Sequence, residues 1–589
     1  MRGTTLGARV SLALALGAGL GSAGCATAGS APSRPAVVFP SRDELAKIPS
    51  REPRAEAFGI DDVAVETWSF ESQASSDAAA YEDASPWGDV ARDLVKRHPQ
   101  NLVPSASLRC AAQELARFHA KNGAMPAESL RRFVAARCGA MAAGIVPIYW
   151  SLTAPAVPSD EQIAAKAGEG FAKSIGDKVA SGHYLLGVGA SRDGQRTTAV
   201  ALLARDEMKL EPGTLVADAN RRVVLRGAVR GEYADIHALV NRGDFGTAPC
   251  ISDPQVRPPR FALACDLAPG DAFAWVDVLG RKPGQLLMHE LGETIITEGD
   301  RNAVAYAARH VGPPVPVKTA ADFARGMLDG LNRVRSSAKM APLSLAPRQS
   351  AENTRLAGTL VDAMLGGDDE VSNRAAIGLM AGWEVPGLIR NGEFFLAAVG
   401  SSDATAWLDS ALEHPIGRST LLEPSVRLIA VGPALPHGGG ALGAAVTTYA
   451  LFDGDDHSAE AARLFQRIAA ARAAHGLPAP VRVQGLPEMD AELARVAREG
   501  VSPMEALQAT MQLAVARTGQ SVRGYTLETN DVDHVEVPRE LLGRGPMQML
   551  LGVTHHRAEG AAWGQYVVVA VILAGGGRRN AGGIGLCRS

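Results

Sequence analysis

The chain has 589 residues, too many for one hydrophobic core, and its 46% hydrophobic and 21% charged residues are an ordinary globular mix. Lys and Arg number 59 against 63 Asp and Glu, with no concentrated basic run, so the sequence gives no reason to expect a nucleic-acid partner.

Arg2 and Arg9 precede the apolar run VSLALALGAGLGSAGC at 10–25. This reads as an export signal over 1–24, too short for a stable membrane span. It ends in S-A-G-C, which resembles a bacterial lipobox with Cys25 as the lipid-bearing residue, although Ser22 stands where that motif prefers Leu. The alternative is ordinary cleavage at the A-x-A of Ala26–Ala28. Either way the mature chain is expected to be exported, with any membrane contact made through the lipid anchor. Residues 25–60, rich in Ala, Ser, Pro and Arg, read as a tether.

The next segments repeat imperfectly. A first unit is expected over 61–206. Its helix begins at SPWGDVARDLVKRH, with Ser85 as cap and Pro86 at the first helical position. It ends in the hairpin HYLLGVGASRDGQRTTAVALLAR. Cys110 and Cys138 within it are 28 apart and read as a disulfide, or else as small buried residues.

Residues 207–312 contain short alternating runs and predict a small β-sandwich, with Cys250 and Cys265 as a second disulfide. Here LLMHELGE (286–293) begins like an H-E-x-x-H zinc signature. That motif needs a helix to put two ligands on one face. Glu293 replaces the second histidine, and Gly284 and Gly292 disfavour a helix. As a strand, the run would hold His289 and Glu293 about 13 Å apart, unable to share a metal. His289 is expected at the surface.

A second unit is expected over 318–454. Thr319 and Asp322 have capping-box spacing, and Phe323, Met327, Leu331 and Val334 share a face. Its hairpin is VRLIAVGPALPHGGGALGAAVTTYALF. The third unit, 456–577, has a helix with Leu464, Phe465, Ile468 and Ala471 as its stripe and ends in MQMLLGVTHHRAEGAAWGQYVVVAVIL. His555 and His556 are expected in a solvated hairpin loop. Asp453, Asp455 and Asp456 lack calcium-loop spacing, and capping by Ser458 is the expected role of that segment. A Gly-rich tail at 578–589 contains Cys587, expected to be free. Ser191 lies in a hairpin loop and not on a strand-to-helix elbow.

The second unit resembles the CAP superfamily (the cysteine-rich secretory, antigen 5 and pathogenesis-related group, also called SCP domains). The resemblance rests on Asn332 and Arg335 in its first helix, Pro342 and Leu343, Gly392 and Glu393, and Trp407. It continues through Pro415, Arg418, Leu421, Leu422, Pro424 and Gly432. It is weaker over the third unit, and over the first it rests mostly on the hairpin. It implies α-β-α sandwich units, degenerate repeats beside the β-sandwich in an α+β chain, similar to exported lipoproteins of the myxobacterial type. It also implies a cleft in which the family often carries two His and two Glu. Here the family histidine falls on Gly417, Glu393 is present, and His414 lies three residues earlier. Glu393, His414 and Arg418 are therefore the cleft candidates, with no catalytic residue, metal or cofactor expected. The expected function is a non-catalytic binding or structural module of the cell envelope with an unknown ligand or partner. The alternatives are a peptidase-like envelope hydrolase and lipid or sterol binding.

Overall fold

The structure, a computed structural model, describes Phe39 to Leu573 apart from 54–62, 75–82, 365–368, 437–440 and shorter stretches of up to three residues, together with Leu12–Ala13 and Gly585–Leu586. Cys25, most of the expected signal and tether, Asp453, Asp455, Cys587 and most of the expected tail lie outside the described residues. The fold is α+β. Two compact units form, one mainly from Pro40–Met380 and Glu393–Thr448, the other mainly from Ala381–Gly392 and Tyr449–Ser589.

One arrangement of elements recurs three times. In its first appearance the helices Pro86–Arg97, Ala106–Asn122 and Glu128–Arg137 accompany a sheet ordered 102–104, 184–193, 196–205, 143–153. In the second, helices Ala320–Ser337, Pro347–Met364 and Asp369–Ala381 accompany strands ordered 344–345, 428–434, 442–451, 389–399. In the third, helices Ser458–Ala474, Pro487–Glu499 and Pro503–Thr518 accompany strands ordered 481–482, 548–556, 565–573, 522–529. Each sheet opens with a short parallel pair followed by the hairpin. Two glycines on the first strands of the hairpins, Gly189 and Gly432, have a packing reason. A Cβ on Gly189 would lie 2.3 Å from the backbone nitrogen of Gln113, and one on Gly432 would lie 2.1 Å from the carbonyl carbon of Asn353. The helix lies directly on the strand backbone, which only a residue without a side chain permits.

Local chemistry starts the helices where the sequence predicts. Ser85 caps the first, with Pro86 inside it, and Thr319 and Asp322 form the capping box of Ala320–Ser337. Phe323, Met327, Leu331 and Val334 are all buried against Trp407, Leu421 and Ile429. Ser458 does not cap its helix as expected: the Asp456 carboxylate accepts from the Ser458 amide at 2.9 Å.

Two buried arginines close the second and third arrangements in the same way. Arg335, near the end of its helix, donates to the carbonyls of Ala341, Leu421, Glu423 and Val426. Arg472 donates to those of Pro478, Leu541, Gly543 and Gly545. The guanidinium fork satisfies several loop carbonyls at once, which a single ammonium cannot do. Asn332 adds a two-way clamp, its amide donating to the Leu343 carbonyl at 3.0 Å and accepting from the Leu343 amide at 2.8 Å.

The expected β-sandwich is present. Strands 251–252, 260–266, 222–229 and 208–210 form one sheet. Its Val223, Leu225, Phe261 and Leu263 pack on Val240, Val276, Val278 and Leu291 of strands 235–242, 273–281 and 288–297. Those strands belong to a larger sheet ordered 246–249, 235–242, 273–281, 288–297, 12–13, 389–399, 442–451, 428–434, 344–345. LLMHELGE ends in the strand Met288–Thr297. Its His289 is half-buried rather than at the surface, with Nε2 2.7 Å from Oε1 of Gln285, because both faces of this strand are covered. Cys110–Cys138 and Cys250–Cys265 are both disulfides, with Cα atoms 5.7 and 4.5 Å apart. Such bridges belong to an oxidising compartment. Among the described residues no helix is long and apolar enough to cross a membrane.

Candidate functional site

The antiparallel strands Phe273–Arg281 and Met288–Thr297 place Asp277 directly opposite Glu293. The register slips just beyond, where Val278 faces Gly292 and Leu279 faces Glu290, leaving Leu291 as an extra residue. Such a bulge re-aims neighbouring side chains. Two like charges directly opposite each other in a sheet are unfavourable, and Asp277 is fully buried. Burial first, and then the Glu293 carboxylate, push the Asp277 carboxyl up to about 8. At neutral pH it is therefore mostly uncharged. Its Oδ2 accepts from the Ile416 amide at 3.2 Å, while its buried Oδ1 has no hydrogen-bond partner.

Two other segments reach this pair. Helix Glu128–Arg137 delivers Arg132, whose Nε lies 2.7 and 3.0 Å from the two Glu293 oxygens. Its guanidinium also lies over the Trp275 ring, 4.7 Å from the centroid. The break between helices Ala404–Glu413 and Pro415–Leu421 delivers His414. Pro415 disfavours helical backbone in the residue before it, and His414 is extended, with φ −71° and ψ 129°. The Nη2 of Arg132 lies 2.9 Å from Nδ1 of His414. Arginine can only donate, so Nδ1 is the acceptor in this contact, and Oε2 of Glu293 stands 3.4 Å from the same nitrogen. Glu413, at the same break, stands 3.4 Å from Arg132. Burial pushes the Glu413 carboxyl up against the opposing pull of Arg132. Burial works against the Arg132 charge too, but the carboxylates of Glu293 and Glu413 outweigh it and hold the guanidinium charged.

The cluster thus sets one guanidinium, Arg132, among three carboxyl groups, Glu293, Glu413 and the mostly neutral Asp277, with the His414 imidazole beside them. Asp277, Glu293 and His414 each offer a ligand atom within 4.8 Å of the others. Two carboxylates and an imidazole suit zinc, and the partnerless Asp277 oxygen fits such an ion. Arg132 does not fit it. Its Nη2 already contacts both Glu293 and His414, the place where a cation joining them would sit.

Beside the cluster lies a cavity of about 460 Å³ that shares Glu413 with it. Phe133, Phe273, Trp275, Leu412 and Leu422 line it, with Arg309, Arg333 and His310 among its polar residues. His310 holds Asp409 at 2.9 Å, and this bond raises the His310 pKa.

The three cleft candidates separate. His414 is in the cluster. Arg418 is not: it lines the cavity and donates to the carbonyls of Leu412, Gly243 and Gly246. Burial lowers its pKa to about 10. Glu393 is buried on strand Ile389–Val399, outside the group around His414. Gly417 cannot simply be replaced, since a Cβ there would stand 2.1 Å from the Ala411 carbonyl oxygen. Sequence reasoning missed Arg132, Asp277, Glu293 and Glu413 as a group. One signal was available: Asp277 is the lone acid in the otherwise apolar FAWVDVLG. His555 and His556 belong to strand Gln548–His556 rather than to a solvated loop. His555 Nδ1 lies 2.8 Å from Nε2 of His457, and the Phe452 ring stacks on His555. A histidine and an aromatic partner, not loop polarity, fix that position.

No family model matches this chain, and no curated protein matches it. Among solved structures it is similar to a cysteine-rich secretory protein from Staphylococcus aureus, at 10% identity and a TM-score of 0.16, over 42% of this chain and 84% of that one.

Proposed function

We propose that this chain is an exported, non-catalytic binding protein of the cell envelope, built from degenerate CAP-like units and a β-sandwich. The observation that carries the reading is the position of Arg132. Its guanidinium contacts Glu293 and His414 together, so the cationic charge there is fixed and has no open position for a water or substrate. A metal-activated water needs a protein-bound ion with an open coordination position. A guanidinium offers no such site. The neighbouring cavity supplies what a binding module needs, a partly open space with an apolar floor and polar groups around it. Export and the Cys25 anchor are parts of the same reading, supported by the N-terminal sequence and the two disulfides.

An envelope hydrolase is the second reading, favoured by the mutual reach of Asp277, Glu293 and His414 and by the partnerless Asp277 Oδ1. Peptide and ester hydrolysis by the purified chain, with and without added zinc, separates the two. The expected rate equals the buffer blank. Hydrolysis above the blank that disappears in His414→Ala would put the hydrolase reading first. Fractionation of cells expressing Cys25→Ser tests the anchor: the variant is expected to leave the membrane fraction, and unchanged association would end the lipoprotein reading.

A further inference from the structure

We infer that the cavity beside the cluster binds an organic anion with an apolar body, an inference that rests on the binding-module reading and names its ligand class. The floor is apolar: Phe133, Trp275, Val334, Leu412 and Leu422 are all buried. A volume of about 460 Å³ lies within the usual range for small organic ligands, roughly 300–1,000 Å³.

The sign of the ligand charge follows from which lining charges are already answered. Each acid has a partner. The Asp271 carboxylate accepts from the Gly243 amide at 2.8 Å, and Asp409 accepts from the Val311 amide at 2.8 Å and holds His310. Glu413 faces Arg132, and Asp244 faces Arg309 at 3.9 Å. Arg418 spends its donors on carbonyls. Arg333 is different. Its guanidinium has no ion pair or side-chain hydrogen bond among the described residues. It is exposed on helix Ala320–Ser337 and passes over Gly312, where a Cβ would come within 2.4 Å of its Nη2. The missing side chain at 312 makes room for the guanidinium at the cavity. The charged lining group left without a hydrogen-bond or ion-pair partner among the described residues is thus the Arg333 guanidinium, in a cavity whose floor is apolar. A carboxylate or sulfonate on a flat or chain-like body meets both, the anion taking the bidentate fork of Arg333 and the body covering Trp275 and Leu412.

The test is fluorescence titration of the full chain with 1-anilinonaphthalene-8-sulfonate, and with N-phenyl-1-naphthylamine as its uncharged counterpart. The sulfonate is expected to bind with 1:1 stoichiometry and at least about tenfold more tightly than the neutral probe, since a charge-assisted hydrogen bond contributes on the order of a tenfold change or more. Arg333→Glu, at an exposed helical position, should remove that advantage and leave the neutral probe unaffected. Leu412→Trp should fill the floor and weaken both probes. Displacement by decanoate and by 2-naphthoate then distinguishes a chain from a ring as the natural body. Equal binding of the two probes, or sulfonate binding indifferent to Arg333→Glu, overturns the inference. That failure would leave the non-catalytic reading standing, whereas metal-dependent hydrolysis would remove that reading whatever the probes show.

Discussion

Asp277 stands directly opposite Glu293 across two antiparallel strands, and the guanidinium of Arg132 contacts Glu293 but forms no hydrogen bond with Asp277. The two facing carboxyls are held unequally, and burial beside Glu293 keeps the proton on Asp277.

The first consequence is a pH dependence of stability. The Asp277 carboxyl rises from 3.8 to about 8 on folding. Between those values the unfolded chain has released this proton while the folded chain retains it. The folded state binds more protons there, so stability falls as pH rises from about 4 to about 8, then levels off. Asp277→Asn replaces the neutral acid by a neutral isostere and should remove this contribution. Urea unfolding at pH 5 and pH 8 checks it: the difference between the two pH values should shrink in the variant. An undiminished difference would show that Asp277 is not the titrating group.

Arg132→Ala leaves Glu293 buried without its cation. Breaking a buried pair from one side costs about 3–5 kcal/mol, more than the pair itself contributes. The double variant Arg132→Met with Glu293→Met should recover most of that loss. Denaturant midpoints of the single and double variants give the coupling directly. Equal destabilisation by both would mean that the pair is not the source of the loss.

Gly417 provides a third check. A Cβ at this position meets the Ala411 carbonyl oxygen at 2.1 Å and Cζ of Phe395 at 2.9 Å. Gly417→Ala should therefore destabilise by about 1–3 kcal/mol through overpacking, despite the usual preference of helices for alanine. A stabilised variant, read from its thermal midpoint, would contradict the close approach.

Much of the fold was legible because it is written in short-range chemistry. Ser85–Pro86 and Thr319–Asp322 announce helix starts by capping, and the thrice-repeated apolar hairpins announce strands. The cysteine pairs followed from spacing within separate segments. The site was less legible because its members come from remote parts of the sequence. Arg132 and Glu293 are 161 positions apart, and Arg132 and His414 are 282 apart. No local period reports such a contact. Glu293 was visible within LLMHELGE but was weighed only against His289, its neighbour in sequence. Its partners are Arg132 and His414, brought by a helix and a helix break that the strand pattern does not mention. His414 was singled out by its closeness to the family's histidine position, and the structure gives it a different set of neighbours.

The central claim is that Arg132 holds the cationic place between Glu293 and His414. Zinc titration of the purified wild-type chain by equilibrium dialysis tests it most directly. The expected result is no stoichiometric zinc at micromolar free metal, with added zinc leaving the thermal midpoint unchanged. One equivalent of tightly bound zinc, lost in both Glu293→Ala and His414→Ala, would contradict it.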